Sequence, residues 1–241
     1  MEKISRKSFV KGALGLGLTG VLAGCASSAS STAASASSTA APAEKKQFTF
    51  ADTVRWDAQY DVVVMGMGAA GMVAAKTAAD NGAKVVIVEK CEEGKAGGNT
   101  KVCGQLFAYA NGDKDAAKSY YTALAGGRDI EPEIIDAISE GVANMADILA
   151  DEFGFNKDEY MDWTGVNVGG TNMGAMSPEY PEMPGHEKMA LWTTHAGASD
   201  GYLYQGLKQN VTDRVDAIDV WYSSPAKSLI QDPVTKTVVG V

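Results

Sequence analysis

Two short apolar runs with an alanine-rich segment between them are the clearest hydrophobic pattern in the chain. Residues 61–65 and 84–88 are rich in valine and long enough to form buried parallel strands. Residues 69–81 favour a helix, and Gly82 is suited to end it. The pattern therefore predicts a strand, a helix and a second strand in succession.

Weaker periodicity predicts further elements along the chain. Helices are expected at 113–125, 131–153 and 200–212, and strands at 217–222, 227–231 and 237–241, the last two joined by an Asp-Pro turn. In the helix at 131–153 the apolar residues share one face: Ile134, Ile135, Ile138, Val142, Met145, Ile148 and Leu149. Residues 154–198 lack clear periodicity and are expected to form a long irregular excursion that approaches the substrate side.

The turn between the first strand and helix has the chemistry of a nucleotide site. Gly66 permits a tight turn, Gly68 allows backbone to approach a phosphate, and Gly71 allows the helix to pack on the strand. The helix N-terminus presents free N–H groups to an anion. Glu89, at the end of the second strand, lies where a carboxylate can accept hydrogen bonds from ribose hydroxyls. These positions together predict a dinucleotide site.

A second glycine-rich segment, residues 97–104, favours a flavin over a nicotinamide dinucleotide. A nicotinamide dehydrogenase does not need a second such turn, whereas extended FAD must also be held beside its ribityl chain and ring. The chain resembles the FAD-dependent family of soluble fumarate reductases and its relatives, the urocanate reductases and 3-ketosteroid dehydrogenases. The shared pattern is D-V-V-V-x-G-x-G-x-A-G, then E-K, then G-G-N-T with a small-residue turn.

The resemblance implies roles for individual residues. Those on the pyrophosphate are Gly66, Gly68, Ala70 and Gly71; those near the adenosine ribose are Glu89 and Lys90; those along the flavin side are Gly98, Asn99, Thr100 and Gly104. Position 105, commonly a second glycine in the family, is glutamine here. Residues 224–229 resemble the segment that recognises adenine through Ala226, or form an ordinary strand entry.

The resemblance implies an α/β, Rossmann-like FAD-binding domain of the glutathione-reductase-like type over residues 51–241. Relatives continue into a capping domain and return with a late Gly-Asp pair that binds the ribityl chain. The Gly-Asp pair here, residues 112–113, comes too early, and the sequence stops within an apolar strand pattern. We therefore expect an N-terminal portion, incomplete at the C-terminus and without the capping domain.

Residues 1–25 have the pattern of an export signal. A basic start precedes an apolar stretch from Gly12 to Ala23, too short to span a bilayer, which needs about 20 residues. Residues 5–11 resemble a twin-arginine signal with lysine as the second basic residue. Residues 22–25 resemble a lipoprotein box, which implies lipidation of Cys25; a plain cleaved signal is the alternative. Residues 26–50, mostly Ser, Ala and Thr at their start, predict a flexible tether at the outer face of a bacterial cytoplasmic membrane.

Charge and cysteine content exclude some functions. The chain carries a formal charge of −9, and residues 1–25 contribute four basic residues and one acidic residue, so the remainder carries −12. Such a surface argues against nucleic-acid binding. Cys91 and Cys103 are interpreted as free thiols rather than a disulfide. No metal site is proposed, because the sequence has neither CxxC nor a Cys/His cluster.

The resulting hypothesis is an exported flavin oxidoreductase that reduces an activated C=C bond of a small unsaturated acid. A ketosteroid-type dehydrogenase is the runner-up, and a truncated, non-catalytic nucleotide-binding lipoprotein is a third possibility. A cytochrome or quinol pool is a possible electron donor. No catalytic residue is assigned, since the family's arginines and histidines lie in the expected later part. His186 and His195 are interpreted as structural or solvent-facing.

Overall fold

The computed structural model describes residues 48–164, 167–168, 171–172, 180–197 and 199–241. The predicted signal, Cys25 and most of the predicted tether lie outside these residues. The helices are α1 Ala69–Asp80, α2 Gly98–Val102, α3 Lys114–Leu124, α4 Pro132–Ala143, α5 Met145–Phe153 and α6 Tyr202–Thr212. The strands are β1 Val62–Met65, β2 Val85–Val88, β3 Phe107–Tyr109, β4 Met161–Asp162, β5 Asn167–Val168, β6 Thr171–Asn172, β7 Ala190–Thr193, β8 Ile218–Trp221, β9 Ile230–Gln231 and β10 Val238–Gly240. Short 3-10 turns occur at Phe50–Thr53, Glu93–Lys95, Lys157–Glu159 and His186–Lys188.

A parallel sheet of order β1-β2-β8 positions the predicted nucleotide site. Val85 of the central strand is opposite Val62 on one side and Ile218 on the other. All three strands run in the same direction, so their carboxyl ends share one edge. The α/β class and the initial strand-helix-strand unit are thus confirmed, with boundaries within one or two residues of the prediction.

Helix α1 packs closely on β1 because Gly71 has no side chain. A Cβ built on Gly71 would lie 2.0 Å from the carbonyl oxygen of Gly66 and 3.3 Å from the side chain of Val64. Helices α1 and α6 also pack together, and the core includes Met72, Ile87 and Leu207. Gly71 therefore does what the sequence predicts: it allows the helix to approach the strand.

The single helix expected at 131–153 is wrong in one respect, since the structure has two helices that meet at Asn144. The backbone of Asn144 leaves the helical region at φ −108° and ψ 10°, and its side-chain amide donates to the carbonyl oxygen of Glu140. The helix is interrupted at this residue, and the expected apolar face is not uniformly buried. Ile134 and Ile138 are exposed, while Val142 and Leu149 are buried.

The segment expected to be irregular contributes to a second sheet. Its order is β3-β7-β4, and both pairs are antiparallel, with Tyr109 opposite Ala190 and Met161 opposite Thr193. These strands have two to four residues, too few to show periodicity, and pair across long sequence separations. The Gly-Gly pair at 169–170, which we interpret as a plain loop, lies outside the described residues.

The terminal strands β9 and β10 form the expected antiparallel hairpin. The Asp232 carboxylate accepts hydrogen bonds from the N–H groups of Val234 and Thr235 at 2.8 and 3.0 Å, which stabilises the turn after it.

Phe48–Val241 form one compact unit. Within the described part of the chain, no helix has the length and apolar character needed to cross a bilayer.

Gly71→Ala should lower the free energy of unfolding by about 1–3 kcal/mol, because the added methyl would overpack against the Gly66 carbonyl. Gly141→Ala is the matched control, since a Cβ in that helix meets nothing within 4 Å. The control should gain about 0.5–1 kcal/mol from reduced chain entropy. Urea unfolding measures both; equal stability of the Gly71 variant and wild type would contradict the packing argument.

Candidate functional site

Three loops meet at the carboxyl edge of the parallel sheet. They follow β1 at Gly66–Gly71, β2 at Glu89 and β8 at residues 222–229. The backbone N–H of Glu89 donates to Trp221 at 2.9 Å, and the N–H of Gly66 donates to Val88 at 2.8 Å. In parallel α/β sheets, ligands bind beside this edge. The structure therefore brings together residues predicted from separate parts of the sequence.

The first turn leaves several backbone donors available. Gly66 has φ +92°, a conformation that favours glycine. The N–H of Ala69, at the start of α1, donates to Thr100 Oγ1 at 2.9 Å. The N–H groups of Gly68, Ala70 and Gly71 find no acceptor among the described residues. The helix N-terminus can therefore donate three hydrogen bonds to an anionic group.

Nothing in the fold itself requires glycine at position 68, so the absence of a side chain there points to a ligand. Its backbone is extended, with φ −79° and ψ 178°, which any residue can adopt. A Cβ there would meet nothing closer than Thr100 Oγ1 at 3.8 Å and the Gly97 carbonyl oxygen at 4.0 Å. The fold itself thus tolerates a side chain, whereas a ligand packed closely against Gly68 would not.

Glu89 has a structural role that the sequence interpretation missed. It is only 5% exposed, and its two carboxylate oxygens accept the N–H groups of Met67 and Cys91, both at 2.8 Å. Burial is the largest effect and alone would raise the pKa of Glu89, but these hydrogen bonds outweigh it and hold the pKa below its usual value. Glu89 therefore ties the first turn to the end of β2; its contact with ribose stays a prediction.

The second glycine-rich segment forms a loop and the short helix α2, where only a turn is expected. Gly97 has φ +117°, and a Cβ there would lie 2.4 Å from the ring of Tyr204. The Tyr204 hydroxyl donates to the carbonyl oxygen of Ala96 at 3.1 Å. Tyr204, on α6, therefore fixes this loop, and no motif in the sequence indicates it.

The residues predicted on the flavin side lie in this second glycine-rich loop. Gly98 and Asn99 are exposed, while Thr100 is half-buried and faces the first turn through its hydroxyl. Gly104 is half-buried, and its carbonyl oxygen accepts the N–H of Ser199. Thr100 is thus in direct contact with the predicted pyrophosphate turn.

The predicted adenine segment borders a groove of about 280 Å³ at the end of β2. Val88 and Ala226 line it, and the N–H of Ser224 donates to the Glu89 carbonyl oxygen at 2.8 Å. Lys90, next along the chain, is exposed. Ala226 therefore lies beside the same edge as the predicted ribose residue.

A larger groove, about 620 Å³ at Asn111–Asp115 and Lys188, is lined by none of the predicted cofactor residues.

Among the residues that the structure describes, the remaining cysteine and histidine side chains do not come together in a catalytic cluster. Cys91 and Cys103 are free thiols. His195 Nε2 lies 2.6 Å from Asp200 Oδ2, and its ring stacks on Tyr202 with centroids 4.1 Å apart. The N–H of Tyr202, and after it His195, lower the pKa of Asp200 against the opposing effect of burial. In the described ranges, no three His, Cys, Asp or Glu side chains are placed to hold a metal ion.

The donor set fits FAD. Free N–H groups at the start of α1 suit a pyrophosphate, the absence of a side chain at Gly68 suits close approach, and the groove at Ala226 continues along the same edge. The second glycine-rich loop lies against the first turn through Thr100. Sequence and geometry therefore agree on a long, anionic dinucleotide.

Comparison with known proteins leads to the same cofactor. Residues 61–241 match the FAD binding domain family. Digoxin reductase of Eggerthella lenta is 41% identical over 105 residues, which cover 42% of this chain and 18% of that protein. NADH:fumarate oxidoreductase of Klebsiella pneumoniae is 29% identical over 181 residues, which cover 71% of this chain and 17% of that protein. The chain thus spans less than a fifth of the length of these two relatives.

The fold has a solved counterpart. The 3-ketosteroid delta1-dehydrogenase of Sterolibacterium denitrificans superimposes with a TM-score of 0.56 at 17% identity, over 73% of this chain and 42% of that one. At this identity the likeness shows the fold alone. With the family match covering three quarters of the sequence, the conclusion is direct: the chain belongs to the FAD binding domain family of flavin oxidoreductases, and its cofactor is FAD.

Proposed function

We propose that this chain is the N-terminal FAD-binding part of an exported oxidoreductase that reduces an activated C=C bond of a small unsaturated acid. The observation that carries the proposal is the similarity to an NADH:fumarate oxidoreductase over 181 residues, which cover 71% of this chain. Fumarate is an alkene activated by carboxylates. The name of the digoxin reductase also supports the reductive direction.

The residues of this chain bind and orient the cofactor. When bound and reduced, FAD would supply the hydride for reduction of the alkene. The N–H groups of Gly68, Ala70 and Gly71 bind the pyrophosphate, and Glu89 holds their turn in place. The loop from Gly97 to Gly104 fixes the position of the flavin end. Residues other than these would donate the proton to the substrate.

Arg214 is unsuited to polarise a substrate carboxylate. Its guanidinium pairs with the carboxylate of Asp80 at 2.6 Å. Asp80 is the last residue of α1, roughly 17 Å along the helix from the glycine-rich turn at a rise of 1.5 Å per residue. Arg214 therefore joins the far ends of α1 and α6, and the substrate arginines expected of fumarate-reductase-like chemistry are assigned to other parts of the protein.

Export and membrane attachment form a separate part of the proposal. It is supported by the basic and apolar pattern of residues 1–25, the lipoprotein-like box ending in Cys25, and the Ser/Ala/Thr-rich stretch that follows. A quinol pool or a cytochrome at the membrane would then supply electrons. Membrane fractionation of cells that express Cys25→Ser tests the attachment, since an unlipidated protein would leave the membrane fraction.

Anaerobic assays of purified holoprotein test the reaction. Reduced methyl viologen should be oxidised when fumarate or urocanate is added, and the saturated acid should form. The runner-up reaction is assayed in parallel with a saturated 3-ketosteroid and an artificial electron acceptor. Steroid desaturation without acid reduction would replace the proposal with the dehydrogenase. Colourless protein that releases no flavin on boiling would favour a nucleotide-binding lipoprotein without catalysis.

Gly68→Val should abolish FAD retention while the fold persists. The backbone angles of Gly68 are open to valine and a Cβ has room, so the side chain would displace the cofactor rather than protein. Gly94→Val is the matched control, in an exposed turn where a Cβ meets nothing within 4 Å. Flavin content after gel filtration and far-ultraviolet circular dichroism are measured. Undiminished flavin in the Gly68 variant would contradict the site.

Glu89→Gln should lower the free energy of unfolding by about 1.5–3 kcal/mol and weaken FAD binding, because one backbone N–H group would face an amide NH₂ in place of an acceptor and the other would keep only a neutral oxygen. The folded-state pKa of Glu89 is lowered, so its contribution to stability is present above the ordinary Glu pKa and lost as pH falls through the lowered value. The stability difference between wild type and variant should therefore shrink below about pH 4.3. Urea unfolding from pH 7 to pH 3 measures it; a constant difference would contradict the assignment.

A further inference from the structure

Gln105 has a backbone conformation that its residue type does not favour. It has φ +64° and is 1% exposed, at the position where the resemblance expects a second glycine. Glycine adopts this left-handed region without steric cost, whereas a residue with a Cβ is disfavoured there. The backbone is therefore shaped as for glycine, and the side chain must contribute something that offsets the strain.

The side-chain amide of Gln105 is fully engaged inside the protein. Its Oε1 accepts the N–H of Tyr204, in the first turn of α6, at 3.0 Å. Its Nε2 donates to the carbonyl oxygen of Thr100 at 2.5 Å and to that of Cys103 at 3.3 Å. A buried amide with each group paired is held in one orientation. Gln105 thus connects the second glycine-rich loop to α6.

The connection continues to the pyrophosphate turn through Thr100. Its carbonyl oxygen accepts from Gln105, and its Oγ1 accepts the N–H of Ala69, the first residue of α1, at 2.9 Å. A continuous hydrogen-bonded path therefore joins the N-termini of α6 and α1. It passes beside Gly68, where a Cβ would lie 3.8 Å from Thr100 Oγ1.

We propose that Gln105 is a positioning residue for FAD: its buried amide sets the place of Thr100 against α1 and so the spacing of the two glycine-rich loops that hold the cofactor. Gln105 acts through Thr100. The inference rests on FAD binding alone and is independent of the C=C reduction proposed above. A glycine at this position would leave the same backbone turn without the amide link, so this chain sets the spacing of the loops by a side chain of its own.

A purely conformational role makes the opposite prediction for Gln105→Gly. Glycine relieves the strain of a positive φ, so on that account the variant would be as stable as wild type or more stable and would bind FAD at least as well. On the positioning account FAD binding weakens although the backbone relaxes. Affinity and stability therefore separate in this variant. Gln105→Met, which keeps length and volume but lacks the amide, should weaken FAD binding in the same way.

The test compares wild type, Gln105→Gly, Gln105→Met and the control Lys236→Gly. Lys236 also has a positive φ, +61°, but lies exposed in the β9–β10 hairpin. We expect both Gln105 variants to raise the Kd for FAD about tenfold, which is the effect of losing one buried hydrogen bond. The control should keep the wild-type Kd. Flavin fluorescence titration of the apoprotein measures the Kd, and urea unfolding of the apoprotein measures stability.

Amide hydrogen exchange at Ala69 supplies a local readout. The N–H of Ala69 bonds to Thr100 and not to Gln105, so its faster exchange in the Gly and Met variants would show that Thr100 has lost its position. Wild-type or tighter FAD binding by Gln105→Gly would overturn the inference. The inference would also be overturned if the increase in Kd were fully accounted for by the loss of apoprotein stability. Normal FAD binding by wild type without any C=C reduction would remove the proposed reaction and leave this inference standing.

Discussion

The buried carboxylate of Glu89 is the interaction on which the cofactor edge depends. Its two oxygens accept N–H groups from Met67, in the turn after β1, and from Cys91, just beyond β2. The backbone of Glu89 also bonds to Trp221 and Ser224, at the end of β8 and in the segment that follows. One residue thus connects all three loops. A buried charge is stable only when hydrogen-bonded in this way, so the loops and the carboxylate hold one another in place.

The second glycine-rich loop is attached to this edge from the other side. Thr100 accepts the N–H of Ala69, Tyr204 packs on Gly97, and Gln105 joins the loop to the first turn of α6. Since α6 also packs on α1, contacts within the protein hold the two glycine-rich loops next to one another. Loops that are already held in place lose less conformational freedom when a ligand binds.

Much of this could be read from the sequence, for identifiable reasons. The strand-helix-strand unit is local and strongly patterned, so residues 61–88 are predicted to within one or two residues. Gly66 and Gly71 have single physical explanations, a positive φ and a close helix approach, and both hold. The second sheet and the break at Asn144 could not be predicted. Strands of two to four residues carry no periodicity, and Tyr109 and Ala190 pair across 81 positions of sequence.

By itself, the sequence determined the fold class and the roles of Gly66 and Gly71, because a glycine-rich turn between buried strands has few physical uses. FAD was indicated by the second glycine-rich segment together with the family resemblance. Only the tertiary structure decided that Glu89 supports the turn with both oxygens, that Tyr204 and Gln105 fix the second loop, and that Thr100 touches the start of α1. These are contacts between residues distant in sequence. They depend on how α6 packs beside α1, which no local pattern encodes.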